Sequence, residues 1–438
     1  MQDRNALLIK AGRVIDPAND RDETADILVV DGTIQDIGRL TDIPADTEII
    51  DADGLTVIPG LVDMHVHLRD PGYEYKETIA GGSEAAAAGG VTAMATMANT
   101  KPVADDITVI RFILEKARLE SLVNIFPIGA ISKGLKGDEI TEMGLLKKAG
   151  CVAFSDDGFP VMKSGVMRRA LEYSRAFDVP VIQHAEDLSL VGCGCMNEGL
   201  ICSRLGLQGI PNASEAIIVD RDLRLAELTG GRYHVAHIST LEAMEAVGKA
   251  QKKGLRVTCE AAPHHFTLTD TDIGDYNTNA KMAPPLRSQQ DRNAIREGLA
   301  RGIITAIATD HAPHDEDSKR VEFCNASNGV VGLETMLPLT LALVRDGVLT
   351  WKQAIAAVSW NPAGILGINR GTLSIGRPAD ITILAPEERW TVTKAALHGT
   401  AKNSCFIGHT MRGQVQKTLV SGRLVYSSER GIIRESAL

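Results

Sequence analysis

The feature that most constrains the fold is an alternation of short β-rich apolar runs with helical segments through the middle of the chain. Several helical segments begin at acidic residues, Ser or Thr and end at Gly, as helix caps require. Eight strands, each followed by a helical segment, predict a (β/α)₈ or TIM barrel, an α/β fold. The predicted strands cover residues 57–67, 91–97, 123–130, 151–155, 179–184, 233–238, 255–260 and 303–310.

The two ends of the chain follow a different pattern. From residue 1 to about 57, and again from about 371, apolar runs end in Gly, Asp-Gly or Pro, which is typical of β-hairpins. Neither end is long enough to form a stable sheet core alone. We therefore assign residues 1–57 and 371–438 to one small composite β-sandwich domain, and residues 58–370 to the barrel.

Composition and charge exclude several classes of protein. The net charge of −10 argues against binding to nucleic acid or to an anionic membrane surface. The N-terminus lacks the apolar core of a signal peptide, and no 18 apolar residues run unbroken, so we expect a cytoplasmic protein. The seven cysteines are scattered and odd in number, which favours reduced thiols over a disulfide framework.

A pair of histidines ends the first predicted barrel strand. In the segment HVHLRDPG, His65 and His67 are separated by one residue, so their side chains point to the same face of a strand. The C-terminal ends of barrel strands are where barrel enzymes carry their chemistry. Two histidines that are merely hydrogen-bonded in the barrel mouth remain the alternative interpretation.

Other strand ends supply further candidate metal ligands. The polar side chains at the ends of strands four, five, six and eight are Asp156, Asp157, His184, His237 and Asp310. Burying so many titratable groups together is costly unless a cation organises them. Imidazole and carboxylate without cysteine suit Zn²⁺ or a similar divalent ion. These four histidines and two or three carboxylates make at least six candidate ligands, which exceed the needs of one tetrahedral metal, so the pattern favours two metals.

Several motifs together resemble a known family. PGLVDMHVHLRDPG and IATDHAPH resemble the amidohydrolase superfamily. The match narrows to the dihydroorotase family, in its bacterial class with DDG on strand four, through ANTKP, FSDDG, HAED, HISTLEAM, APHHF, KMAPPLR, GLET and GTLSIGRPADITI. These motifs occur in order along nearly the whole chain, which makes the resemblance specific.

The resemblance implies a role for each matching residue, with two Zn²⁺ ions per chain. The implied metal ligands are His65, His67, Asp157, His184, His237 and Asp310. Asp157 takes the bridging place that a carboxylated lysine occupies in hydantoinases, and Asp156 becomes its neighbour. Asp310 is also the implied proton shuttle. Arg69 and Asn99 are expected to hold the substrate carboxylate, and His314 to orient the ring. A salt bridge from Arg69 to Asp70 is the alternative.

The family's reaction is the reversible cyclisation of N-carbamoyl-L-aspartate to L-dihydroorotate in pyrimidine biosynthesis. Two alternatives stay open: a hydantoinase or allantoinase, and a non-catalytic partner of aspartate transcarbamoylase. Hydantoinase relatives place a lysine where this chain has Asp157, and non-catalytic chains typically lack the metal-binding histidines that this chain retains. A homodimer and an association with aspartate transcarbamoylase are hypotheses that the sequence does not fix.

Some positions depart from the family pattern or lie outside the implied site. Ala98 and Ala283 replace a proline and an asparagine of the usual motifs, which puts one substrate contact in doubt. The polar segment 315–329 is long for a barrel loop, and we expect it to order over bound substrate as a lid. Five further histidines are expected to be structural, exposed or only near the substrate: His234, His264, His265, His398 and His409.

Overall fold

The N-terminal strands form one half of a mixed sheet in the computed structural model, which describes residues 6–434. Strand β1 pairs antiparallel with β2 and parallel with β4 and β5, and β2 pairs antiparallel with β3. The strands are β1 (Ala6–Asp16), β2 (Arg21–Val30), β3 (Thr33–Gly38), β4 (Glu48–Asp51) and β5 (Thr56–Pro59).

Eight parallel strands form the predicted barrel, and each lies within or within one residue of a predicted strand. They are β6 (Leu61–Val66), β7 (Val91–Thr96), β8 (Asn124–Gly129), β9 (Ala153–Ser155), β10 (Val181–Gln183), β13 (Tyr233–Val235), β14 (Val257–Ala261) and β15 (Ala306–Ile307). Neighbours in the sheet follow chain order from β6 to β15. The last and first strands meet where His67 N donates to His311 O at 2.9 Å, which closes the barrel. A short two-stranded sheet, β11 (Met196–Asn197) with β12 (Gly209–Ile210), lies between the fifth and sixth barrel strands in sequence.

The first predicted strand is two strands in the structure. Residues Thr56–Pro59 pair with β1 in the terminal sheet, and the barrel strand begins only at Leu61. Gly60 separates them, and a Cβ atom at this glycine would lie 2.2 Å from Thr92 Oγ1. The sequence prediction of one continuous strand over 57–67 was therefore wrong at Gly60, because the chain needs a residue without a side chain there.

Helices connect the barrel strands as the capping pattern predicts. In α1, for example, Thr78 Oγ1 accepts from Gly81 N at 2.9 Å and so satisfies one free N–H of the first turn. The helices are α1 (Ile79–Ala88), α2 (Ile107–Glu120), α3 (Met143–Ala149), α4 (Ser164–Ser174), α5 (Leu188–Val191), α6 (Leu200–Leu205), α7 (Ala213–Thr229), α8 (Leu241–Lys252), α9 (Pro263–Thr267), α10 (Gln289–Ala300), α11 (Glu316–Lys319), α12 (Met336–Arg345), α13 (Trp351–Val358) and α14 (Trp360–Leu366).

The C-terminal strands complete the terminal sheet. They are β16 (Ile381–Thr391), β17 (Thr410–Val420), β18 (Arg423–Ser427) and β19 (Gly431–Ile432). Strand β16 pairs antiparallel with β5, so both ends of the chain share one nine-stranded mixed sheet with its own apolar core. This confirms the composite β-domain next to a barrel.

The boundaries of the two domains, at residues 57 and 371, stay predictions, and residues 1–5 and 435–438 lie outside the described part of the chain. Within residues 6–434, the helices are all too short or too polar to span a membrane.

Candidate active site

His65 lies at the end of β6 in the barrel interior, fully buried. Its Nδ1 is 2.6 Å from Glu260 Oε1, while its Nε2 has no hydrogen-bond partner. The nearest carboxylate oxygens to Nε2 are Asp157 Oδ2 at 3.3 Å and Asp310 Oδ1 at 3.5 Å. The ring thus donates through Nδ1 and presents a lone pair at Nε2, which is how a metal-binding histidine is held.

His67 faces the same two carboxylates, as the strand alternation predicts. Its Nε2 lies 3.2 Å from Asp310 Oδ1 and 3.3 Å from Asp157 Oδ2. Its Nδ1 lies 2.9 Å from Asn99 Oδ1. Asn99, predicted to contact substrate, therefore also fixes the orientation of the His67 ring.

Asp157 joins the two halves of the site. Its Oδ2 faces His65 and His67, and its Oδ1 lies 3.2 Å from His237 Nε2 and 3.5 Å from His184 Nδ1. Two groups of side chains are close enough to hold a metal ion, and Asp157 belongs to both. They are His65, His67, Asp157 and Asp310 in one group, and Asp157, His184 and His237 in the other.

The electrostatics of this cluster favour positive charge. Burial lowers the pKa of His65, but the carboxylates of Asp157 and Glu260 outweigh it and raise the pKa well above its usual value. Burial also opposes ionisation of Asp310, yet its bond to His67 and nearby imidazoles hold the pKa of that carboxyl below its usual value. Such a site binds either protons or metal cations, and the donor set suits the latter.

Glu260 is the residue that sequence reasoning missed. It lies in β14 and is buried, with Oε1 bound to His65 and Oε2 3.2 Å from His234 Nε2. His234 in turn has its Nδ1 2.7 Å from Thr258 Oγ1. The position of Glu260 at a strand end, like the other site residues, was the signal that could have identified it.

A cavity of about 210 Å³ opens above these candidate ligands. Its wall includes Arg69, Asn99 and His314, the three predicted substrate contacts, and also Ala283. Arg69 Nε donates to Pro313 O at 3.2 Å, and Asp70 pairs instead with Lys116 at 2.8 Å. The alternative prediction, a salt bridge from Arg69 to Asp70, is therefore wrong.

His314 is held neutral. Burial, together with the charges of Arg69 and Lys76, lowers the pKa of His314 to about 3. Its Nε2 donates to Asn328 O at 2.8 Å, and its Nδ1 is left to accept, with Lys76 Nζ at 3.4 Å.

The other candidates lie outside the two metal-binding groups. Asp156 accepts from the backbone N of Ser132 at 2.9 Å and from its hydroxyl, and burial raises the pKa of Asp156 to about 6. His264 and His265 are buried next to the site with ring centroids 4.3 Å apart. His398 binds Glu334 at 2.8 Å, far along the chain from the site.

Comparison with known proteins identifies the family. A family model described as dihydro-orotase-like matches residues 54–243, and an amidohydrolase family model matches residues 219–426. A dihydroorotase of Geobacter sp. strain M21 is 54% identical over 422 residues, covering 96% of this chain and 99% of the relative. A dihydroorotase of Geobacter sulfurreducens is 55% identical over 421 residues, covering 96% and 99%. The chain belongs to the dihydroorotase family.

Solved structures of related enzymes share its fold. An L-hydantoinase from Arthrobacter aurescens superposes with a TM-score of 0.87 at 27% identity, covering 98% of this chain and 97% of the other. A D-hydantoinase from Thermus sp. gives a TM-score of 0.84 at 26% identity, with the same coverage. The predicted barrel with a composite terminal domain is therefore the fold of this amidohydrolase.

Proposed function

We propose that this dihydroorotase-family protein interconverts N-carbamoyl-L-aspartate and L-dihydroorotate plus water. The observation that carries the proposal is the position of Asp157, with one carboxylate oxygen facing each pair of histidines at the floor of the cavity. A carboxylate-binding arginine, Arg69, lines the same cavity. This arrangement fits a cyclic amide that carries a carboxylate off the ring.

We infer that the site holds two divalent cations, most simply Zn²⁺. The implied ligands are His65, His67, His184, His237 and Asp310, with Asp157 shared between the two ions. The buried Nε2 of His65, which faces Asp157 and Asp310, has no hydrogen-bond partner, and this supports ligation there. When bound, such cations supply an acidified water as nucleophile and polarise the amide carbonyl.

Asp310 is the proposed proton carrier. In hydrolysis its carboxylate accepts a proton from the attacking water, the ring C–N bond breaks, and the same proton passes to the leaving nitrogen. In cyclisation these transfers run in reverse, and water leaves. The bond to His67 and the nearby imidazoles hold the pKa of the Asp310 carboxyl below its usual value, so Asp310 is ionised at neutral pH.

Arg69 is the proposed anchor for the ring carboxylate. Its Nε donates to Pro313 O, which fixes the guanidinium, and its Nη2 lies 3.4 Å from His314 Nε2, so the terminal nitrogens lie beside the residue proposed to orient the ring and can meet a carboxylate there. Ala283 in the cavity wall offers only a methyl group where the family motif has an amide, so Arg69 and Asn99 carry more of the recognition.

The test compares turnover of dihydroorotate, hydantoin and allantoin by metal-loaded protein. We expect turnover of dihydroorotate to exceed the other two, because only dihydroorotate offers a carboxylate to Arg69. Preferred turnover of hydantoin or allantoin, or no turnover of any of them, would overturn the proposal. Turnover of dihydroorotate would also decide against a purely non-catalytic partner of aspartate transcarbamoylase.

Location and assembly form a separate part of the proposal. We propose a cytoplasmic enzyme that forms a homodimer. Sizing of the purified protein, alone and mixed with aspartate transcarbamoylase, tests the homodimer and any association with that enzyme. Elution as a monomer would contradict the first, and independent elution of the two proteins would contradict the second.

A further inference from the structure

Two cysteines far apart in sequence meet beside the barrel mouth. The Sγ atoms of Cys195 and Cys324 lie 2.7 Å apart, although the residues are 129 positions apart in the chain. Cys195 directly precedes β11 and is buried, whereas Cys324 is exposed. Cys324 lies within the segment 315–329 that follows the last barrel strand and was predicted to act as a lid. Neither residue is part of the proposed catalytic site.

The backbone around both thiols is anchored, so their contact is set by the fold. Cys195 N donates to Gln208 O at 3.0 Å. On the other side, Lys281 Nζ donates to the carbonyl oxygens of Cys324 and Ala326, both at 2.7 Å. These hydrogen bonds fix the backbone on both sides, so the two thiols lie in contact without any movement of the loops.

A metal does not account for the pair. Across residues 6–434, the groups of three or more His, Cys, Asp or Glu side chains that could hold an ion are the two in the catalytic site. Two thiols without a third ligand make a poor site for Zn²⁺, which takes four. Two adjacent thiols, one of them exposed, instead have the arrangement needed for disulfide exchange.

We propose that Cys195 and Cys324 are a thiol modification site that forms a reversible disulfide by exchange with a low-molecular-weight disulfide such as oxidised glutathione. In the first step Cys324 attacks the small disulfide, giving a mixed disulfide and releasing one small thiol. In the second step Cys195 attacks Cys324, giving the protein disulfide and releasing a second small thiol. The two cysteine protons end on the two released thiols, so the exchange balances.

The order of attack follows from the surroundings of each thiol. Burial, together with the contact to Cys324, raises the pKa of the Cys195 thiol to about 12, so exchange begins at the exposed Cys324. A mixed disulfide at Cys324 removes the interaction with that thiol, which is one cause of the raised pKa of Cys195. The nearby Lys281 ammonium then favours the Cys195 thiolate. The bond ties segment 315–329 to the start of β11, and this inference does not depend on the enzymatic activity.

The experiment incubates the full-length protein with oxidised glutathione and then counts free thiols and maps linked peptides by mass spectrometry. Cys193, exposed and two residues from Cys195, offers a matched control through C193S. We expect wild type and C193S to yield a peptide that joins Cys195 to Cys324. C195S should instead keep glutathione on Cys324, and C324S should form no linked peptide. The exposed position of Cys324 makes C324S a variant that folds even if C195S does not.

Thermal unfolding gives a second readout. A bridge that closes a loop of about 130 residues restricts the unfolded chain, and in a protein of this length it raises Tm by about 5 °C. Dithiothreitol should reverse the shift in wild type, and oxidised C324S should show none. A wild type that keeps Cys195 and Cys324 as free thiols, or one in which Cys324 is linked to Cys193 instead of Cys195, would overturn the proposal.

Discussion

Replacing Glu260 tests whether a hydrogen bond to the outer ring nitrogen of His65 contributes to metal binding. The carboxylate accepts from His65 Nδ1 at 2.6 Å, which keeps the proton on Nδ1 and the lone pair on Nε2. Partners of this kind typically contribute about 10- to 100-fold to metal affinity, or about 1.4 to 2.8 kcal/mol. We therefore expect Glu260→Ala to weaken Zn²⁺ binding about 100-fold, because His65 and His234 both lose their partner.

Glu260→Gln separates geometry from charge. A glutamine can accept from His65 through Oε1 and donate to His234 through its amide, so both hydrogen bonds persist while the negative charge is lost. We expect about a tenfold loss of Zn²⁺ affinity. Thr258→Val removes only the hydrogen bond to His234 Nδ1, and His234 reaches His65 only through Glu260. We therefore expect this variant to lose less than about threefold in Zn²⁺ affinity.

The assay is competition for Zn²⁺ against a chromophoric chelator, with circular dichroism on the metal-free proteins as the control for folding. The expected order of affinity is wild type, Thr258→Val, Glu260→Gln and Glu260→Ala. If folded Glu260→Ala binds Zn²⁺ within about threefold of wild type, Glu260 has no part in positioning His65 and the reasoning fails.

Further predictions concern the proton carrier, the carboxylate anchor, the metal and a remote buried acid. Asp310→Asn should lower kcat about 10²- to 10⁴-fold in a dihydroorotate absorbance assay without unfolding the protein, because an amide cannot accept the proton. Arg69→Lys keeps the charge but loses the bidentate contact. It should lower kcat/KM for dihydroorotate about 10- to 100-fold and leave any hydantoin turnover unchanged; an equal loss on both substrates would contradict the assignment. Removal of metal by a chelator should abolish turnover, and added Zn²⁺ should restore it; activity that survives complete removal, checked by elemental analysis, would refute the metal site. Burial raises the pKa of Asp222 from 3.8 to about 6, so its carboxyl favours the folded state when protonated, and that contribution is lost as pH rises from about 4 through 6. In urea unfolding, Asp222→Asn should therefore gain about 3 kcal/mol relative to wild type between pH 4 and pH 7, and parallel pH profiles would contradict this.

The barrel could be predicted because its strands are buried on both faces. Such strands appear in a sequence as short, nearly continuous apolar runs, as in VTAMAT of β7, and their order then follows from the βα alternation. The break at Gly60 could not be predicted. It depends on the approach of Thr92 from a neighbouring strand, and no local pattern reports that distance.

That the candidate ligands lie close together could be predicted because strand ends converge on one rim, whatever the details of side-chain conformation. The side chains that hydrogen-bond to those residues could not be predicted, because such contacts depend on the rotamers that the side chains adopt. Glu260 lies at a strand end like His184 and His237, but only the structure shows that it faces His65 from behind. The contact between Cys195 and Cys324 is likewise a product of tertiary packing across 129 residues.

Three residues of the proposed site have a strained backbone. Arg69, His237 and Asp310 have positive φ values of 62°, 29° and 48°, which non-glycine residues rarely adopt and which cost roughly 1–3 kcal/mol each. The neighbouring backbone is fixed: Ala236 N donates to Gln183 O at 3.1 Å and Ile238 N to Glu260 O at 2.9 Å, on either side of His237. Glycine, asparagine and aspartate adopt such φ values most easily. At His237 and Arg69 the surrounding structure therefore holds a backbone conformation that the residue type itself disfavours. Of the eleven non-glycine residues with positive φ among residues 6–434, these three have roles in the metal and carboxylate proposals, so the fold holds a strained backbone where those side chains are needed.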